Sequence, residues 1–241
     1  MEVKIIGKEI RKLAGKKLSH YSVTQGACSD GTYVYMVFER KKTSKYSHRC
    51  KIVKLDLENF KIIKISGALK IGHGNDIAFL KNKLYITHSE GSKTIHIVDS
   101  KTLKQLKGKK VKVPKKFKGI SAFNAIAPYG KDKLILRVMG SKKLAIIDSS
   151  FKIKRVFKTE TSYTTSQGME TLKLTVIRAY SKLQSGKNYL VTYNLKGKEL
   201  SRKKIPIKGE MESVFRIGNQ LYVTTYVRSG KKREAYIGKI S

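Results

Sequence analysis

The chain predicts an all-β protein, a five-bladed β-propeller with four antiparallel strands in each blade. Three observations carry this. Apolar strands closed by Asp or Asn recur at near-constant spacing, the same order of strands and turns surrounds each of them, and the last unit lacks one strand that the N-terminus supplies.

The repeat is read from "CKIVKLD", "KTIHIVD", "KKLAIID" and "NYLVTYN". Their closing residues Asp56, Asp99, Asp148 and Asn194 follow one another at 43, 49 and 46 residues. Asp and Asn close such strands because their side-chain oxygens cap a tight turn, and "DLEN", "DSKT", "DSSF" and "NLKG" supply the polar turns. The second unit shows the full order: "NDIAF", the turn "LKN", "KLYITH", the loop "SEGS", "KTIHIVD", the turn "SKT" and the Lys-rich "LKQLKGKKVKV". Four strands in about 40–50 residues is the signature of a propeller blade. The fifth unit, "EMESVFRIGNQLYVTTYVRSGKKREAYIGKI", stops after its third strand. An open ring would leave exposed sheet edges, so "EVKIIGKEI" (Glu2 to Ile10) is expected to pair with it and close the ring. Residues 1–241 are then one propeller domain. A β-sandwich of equal strand count needs no unit repeat.

Composition sets the outer bounds. The 241 residues are 40% apolar and 29% charged, a globular balance. No apolar run of about 18 residues exists, and "MEVKIIGKEIRKLAGKK" lacks the apolar centre of a signal peptide, which points to the cytoplasm. Cys28 and Cys50 are too few for a disulfide framework or a structural zinc site. They fall on the first and third strands of one blade, about 9–10 Å apart, so both are expected as free thiols.

The net charge is +36, from 43 Lys and 10 Arg against 17 acidic residues. Lysine attracts phosphates as a point charge, whereas bidentate clamps and base reading favour Arg. The field is therefore diffuse, suited to an anionic polymer or to nucleic acid bound without sequence preference. In "LKQLKGKKVKVPKKFK" eight Lys and no acid are also explained as protection of an outer strand edge.

Aligning the inner strands "QGACSDG", "HGNDIAF", "FNAIAPY", "QGMETLK" and "EMESVF" puts Cys28, Asp76, Ala125, Glu170 and Glu212 on one level of the central tunnel. Asn75 and Asn124 fall one position earlier, and Gln25, His73 and Gln167 sit just above. Asp76, Glu170 and Glu212 are the candidate metal ligands: with Asn75 they offer oxygens that suit a hard ion such as calcium. With His73 they are also the candidate catalytic groups, since paired carboxyls serve as acid and base. The alternative is that they satisfy unpaired backbone donors between blades. The variable loops on the same face carry Arg40, Tyr46, His48, His88, Arg137, Arg178, Tyr180, Tyr226 and Arg228, expected as a rim suited to sugars or phosphates.

"TQGACSDGTYVYMVF", "IGHGNDIAF", "TSQGME" and "EMESVFRIGNQLYVTTY" resemble the five-bladed propeller modules of Gram-positive secreted and surface proteins, and more distantly helveticin-type bacteriocins. That resemblance implies binding at the cell envelope, secreted or on the surface, or antibacterial action. Thr24-Gln25-Gly26 and the pair Glu210 and Glu212 resemble plant-type glutaminyl cyclases, also five-bladed, while His73 stands where that family would offer an acid. The expected protein is a monomer that binds an anionic envelope polymer or glycan at the upper mouth. The alternative is a cyclase-like aminoacyltransferase or a metal-dependent enzyme using the same carboxyls.

Overall fold

The computed structural model describes residues 2–40, 49–88, 91–160, 165–182, 186–230 and 232–241. Its strands form five four-stranded antiparallel sheets arranged as a ring. Blade 1 holds β2 (Tyr21–Ser29), β3 (Tyr33–Arg40), β4 (Cys50–Asp56) and β5 (Lys61–Ile65). Blade 2 holds β6 (Asp76–Leu80), β7 (Lys83–Thr87), β8 (Thr94–Asp99) and β9 (Gln105–Lys110). Blade 3 holds β10 (Phe123–Tyr129), β11 (Lys133–Val138), β12 (Lys143–Ile147) and β13 (Ile153–Lys158). Blade 4 holds β14 (Thr165–Leu172), β15 (Thr175–Ser181), β16 (Asn188–Asn194) and β17 (Glu199–Ile205). Blade 5 holds β18 (Glu210–Ile217), β19 (Gln220–Ser229), β20 (Lys232–Ile240) and, as its outer strand, β1 (Val3–Ile6).

The N-terminal strand therefore closes the ring, with Val3 opposite Ile240 and Ile6 opposite Ile237. It is shorter than the expected Glu2 to Ile10. Glu9 ends the extended stretch by capping a short helix, α1 (Ile10–Ala14), where its carboxylate accepts the amides of Arg11 at 2.9 Å and Lys12 at 2.7 Å. The same carboxylate accepts the Ala235 amide at 3.0 Å, so the cap also ties the helix to the last strand. Ile10 and Ala14 are buried against blades 1 and 5.

The turns after the third strands are built as the repeat predicts. Asp56 Oδ1 accepts the Glu58 amide at 3.0 Å, Asp99 Oδ1 the Thr102 amide at 2.7 Å, Asp148 Oδ1 the Ser150 amide at 3.0 Å, and Asn194 Oδ1 the Lys196 amide at 2.9 Å. Each turn then needs one left-handed residue. Phe60, Leu103 and Phe151 adopt φ of 49°, 57° and 59°, and only the fourth turn uses glycine, Gly197 at 90°. A side chain at Gly197 would also run into the Lys158 carbonyl of blade 3.

The core lies between the sheets, as five apolar layers, one for each pair of adjacent blades. Between blades 1 and 2, for example, Val37 and Ile52 pack with Ile77, Leu84 and Ile86. Alternate residues of each strand supply the two faces of a blade, which is why the middle strands read as nearly continuous apolar runs. Cys28 lies on β2 and Cys50 on β4, and both are buried free thiols. Burial pushes both up, Cys50 to about 12, so neither is a ready nucleophile. Among the described residues no helix is long and apolar enough to cross a membrane.

Candidate functional site

The inner strands β2, β6, β10, β14 and β18 pack side by side around the ring axis. Four of the five carry a β-bulge near the same end. Pairing with the second strand skips from Thr24 to Ala27, from Phe123 to Ala125, from Ser166 to Met169 and from Met211 to Ser213. The skipped residues include Gln25, Asn124, Gln167 and Glu212. A bulge re-aims the residues it leaves unpaired. All four line one open cavity of about 520 Å³, together with Val23, Glu39, His73, Asn75, Arg137, Met139, Gly140, Thr165, Ser166 and Glu210.

Asp76 lies at the first residue of β6 and fills the tunnel beneath this cavity. It is 0% exposed. Its Oδ1 accepts the Ile77 amide at 3.0 Å, and its Oδ2 accepts the Ile126 amide at 2.9 Å and the Met169 amide at 3.2 Å. Burial pushes the carboxyl up and the three amides pull it down. Two glycines make room. A Cβ on Gly26 would lie 2.5 Å from Asp76 Cα, and one on Gly168 would lie 2.5 Å from Ser213 Oγ and 2.9 Å from Asp76 Oδ1. The "QG" pairs of blades 1 and 4 thus have a dual reason: the Gln faces the mouth and the Gly lets the tunnel close.

The three carboxyls placed on one level by alignment separate in function. Asp76 is a plug bound by backbone amides of blades 2, 3 and 4. Glu170 is buried away from the cavity lining, accepts the Thr171 amide at 2.7 Å, and is pushed up to about 7 by desolvation, against the Thr171 amide and the Arg216 charge. Glu212 alone of the three lines the mouth. Among the described residues no group of three or more His, Cys, Asp or Glu side chains is placed to hold a metal ion.

At the mouth, acids gather on one wall. Glu39, the last but one residue of β3, meets His73, whose Nδ1 lies 2.8 Å from Glu39 Oε1. Gln167 Nε2 donates to Glu210 Oε1 at 2.7 Å, linking blades 4 and 5. Glu212 is 4% exposed, and burial, reinforced by the like charges of Glu210 and Glu39, pushes its carboxyl well above the usual range. Both causes favour the protonated form of Glu212 over the ionised one. The opposite wall holds Arg137, whose Nη1 donates to Asn124 Oδ1 at 3.1 Å.

The expected Tyr and Arg rim is largely interior. Arg178 and Tyr180 are each 1% exposed and Tyr226 is 6% exposed, because the register of the second strands turns them between blades. Arg178 Nη1 donates to Thr159 Oγ1 at 3.1 Å and Nη2 to Ser166 Oγ at 2.9 Å. His88 is buried, edge-on to His96 at 5.1 Å between ring centres. Arg40 is half-buried and Arg228 exposed. Tyr46 and His48 lie outside the described residues. Sequence reasoning left Glu39 and Ser166 out of the site and used Glu210 only as part of a resemblance. The signal for Glu39 was available: a lone acid ending the apolar strand "YVYMVFE". A larger open cleft of about 780 Å³ between blades 1 and 5 is lined mainly by turn residues such as Gly31, Asp56 and Glu58, and the Asp56 carboxylate is already bound by Asn59.

Solved structures share this fold at low sequence identity. The beta-xylosidase RS223 aligns with a TM-score of 0.64 and 10% identity, over 100% of this chain and 95% of that one. A GH43_1 enzyme from Xanthomonas citri complexed with xylotriose gives 0.63 and 9%, over 98% and 91%. Glutaminyl cyclase from Myxococcus xanthus gives 0.50 and 11%, over 78% and 75%. No family model matches the chain, and no curated protein does. The likeness to glutaminyl cyclase is thus one of fold, and the resemblance to helveticin-like Gram-positive modules has no family match behind it.

Proposed function

We propose that this propeller binds a glycan in the mouth cavity. The observation that carries the reading is the set of bulges, which turn Gln25, Asn124, Gln167 and Glu212 from four blades into one cavity that also holds Asn75, Ser166 and Thr165. Amide and hydroxyl groups both donate and accept, as sugar hydroxyls require. A densely charged polyanion fits the +36 chain but meets Glu39 and Glu210 at the cavity itself. A glycan of low charge density suits both. The xylosidase structures and the xylotriose complex, which share the fold, support a sugar as the class of ligand. The test is calorimetric titration with a panel of oligosaccharides, beginning with xylotriose, against wild type and Gln167→Ala. Binding that weakens about tenfold in the variant is expected, for one lost polar contact in a desolvated site. Silence across the panel rejects the reading.

A second reading, turnover of the bound glycan, is favoured by Glu212. A buried acid pushed toward its protonated form, lining one cavity with two further carboxyl groups, suits protonation of a glycosidic oxygen while another carboxyl activates water or attacks the sugar. Reducing-sugar release from the bound oligosaccharide tests it. Cyclisation of an N-terminal glutaminyl peptide, the activity named for the Myxococcus xanthus structure, is the assay that separates the two enzyme classes.

A further inference from the structure

Arg137 and Arg178 occupy the same position in adjacent blades. Each sits on the second strand directly opposite the residue that follows the bulge, Arg137 facing Ala125 and Arg178 facing Met169. Neither has an acidic partner among the described residues. A buried cation is ordinarily paired, because removing an ion from water is costly. Arg178 is held instead by the hydroxyls of Thr159 and Ser166, and by the faces of Tyr180 and Tyr193, whose ring centres lie 4.8 Å and 5.9 Å from its guanidinium carbon. Ring faces attract cations but do not cancel their charge. The Tyr180 and Tyr193 hydroxyls, 3.2 Å apart, bond each other behind it.

Arg137 stands in front of this assembly, on the cavity wall. Among the described residues only its Nη1 is engaged, by Asn124. Its Nε is buried without a partner, and its Nη2 carries no hydrogen bond among the described residues. Nε and Nη2 form one edge of the guanidinium fork, and that edge matches the two oxygens of a carboxylate. Burial and the Arg178 charge together lower Arg137 to about 10, the direction expected of a cation short of a counter-ion. The opposite wall, with Glu39 and Glu210, disfavours a second negative charge in the same space.

We propose that Arg137 binds the carboxylate of an acidic sugar unit, a uronate, with Arg178 fixed behind it to keep that wall positive. The inference rests on the glycan reading of the mouth and narrows its ligand class: a glycan carrying single negative charges spaced along neutral or hydroxyl-rich units. The hydroxyls then face the amides of Gln25, Asn75 and Gln167, and the carboxylate faces away from the glutamates.

The experiment compares glucuronate-containing and matched neutral oligosaccharides, free glucuronate and inorganic phosphate by calorimetry on wild type, Arg137→Met and Arg137→Lys. Wild type should bind the acidic oligosaccharide at least about tenfold more tightly than the neutral one, the scale of one charge-assisted bidentate contact. Arg137→Met should erase that preference, so that the acidic and the neutral oligosaccharide bind the variant with equal affinity. Arg137→Lys should keep part of it, since lysine retains charge but not the fork. Lys110→Gln, on an exposed outer strand, controls for the general field of the protein and should leave the preference unchanged. Equal affinity of wild type for acidic and neutral forms overturns the proposal, even if a variant fails to fold. So does phosphate binding more tightly than glucuronate, or a preference that Lys110→Gln removes as fully as Arg137→Met. Free glucuronate bound through Arg137, with no oligosaccharide of either kind bound, would reject the glycan reading while leaving the carboxylate site standing.

Discussion

Asp76 Oδ2 accepts the Met169 amide at 3.2 Å, a hydrogen bond across the tunnel from blade 2 to blade 4. Both oxygens of the carboxylate are used, Oδ1 for Ile77 and Oδ2 for Ile126 and Met169. Asn at this position would keep one acceptor and turn an NH2 group toward amides that also donate. Asp76→Asn is therefore expected to cost about 2 kcal/mol, from at least one buried amide left without an acceptor. Denaturant unfolding of the variant measures it. An unchanged midpoint would mean the plug is not what joins these blades.

Glu170 gives the fold a pH dependence with a defined sign. Its carboxyl is raised in the folded protein from 4.5 to about 7 by desolvation. The unfolded chain thus releases the proton first. The stabilisation is full below about 4.5 and is lost as pH rises toward about 7, by roughly 3 kcal/mol if no other group compensates. Thermal midpoints measured from pH 4 to pH 8 should fall across this window in wild type and less steeply in Glu170→Gln. Parallel curves would place the titrating group elsewhere.

The strand order, the Asp-capped turns and the ring closure were legible because each rests on local chemistry repeated along the chain. Asp56, Asp99, Asp148 and Asn194 each cap their own turn, so the pattern survives in one dimension. The bulges at Gln25, Asn124, Gln167 and Glu212 were not legible, since a skipped pairing leaves no mark in composition or period. Aligning blade starts put Asp76, Glu170 and Glu212 level, yet only Glu212 sits on a bulge and reaches the mouth. Arg178 and Tyr180 fell on what reads as a loop, but β15 continues to Ser181 and carries both between blades. The pairing of Glu39 with His73 needed the fold, because it joins the end of one strand to the loop before the next blade.

Ring closure yields a third expectation. Val3 packs with the layer between blades 4 and 5, and Ile6 with the layer between blades 5 and 1. Deleting residues 1–6 removes both side chains and bares one edge of β20. A loss of about 3 kcal/mol follows from two partly buried aliphatic side chains, and in a chain of this size the thermal midpoint should drop by about 6–12 °C. Differential scanning calorimetry of the deletion tests this, and a midpoint equal to wild type would show that the seam holds without β1.

Glu212→Gln separates binding from catalysis at the mouth. Burial and the like charges of Glu210 and Glu39 push the carboxyl toward its protonated form, and glutamine is a neutral amide of nearly the same shape. Glycan affinity should stay within about threefold, since the charge of the cavity is little changed. Stability supplies a check that needs no ligand. Because the folded pKa is raised, wild type loses stability as pH climbs above 4.5, whereas the variant has no proton to lose there, so the variant should become the more stable of the two in alkaline buffer. If the mouth also cleaves its glycan, turnover in the variant should fall by about 100-fold or more, the usual contribution of a positioned general acid. The wild-type rate should then decline with rising pH as Glu212 ionises. Retained turnover would remove Glu212 from the chemistry, and lost binding with intact folding would make its carboxyl a ligand contact instead of an acid.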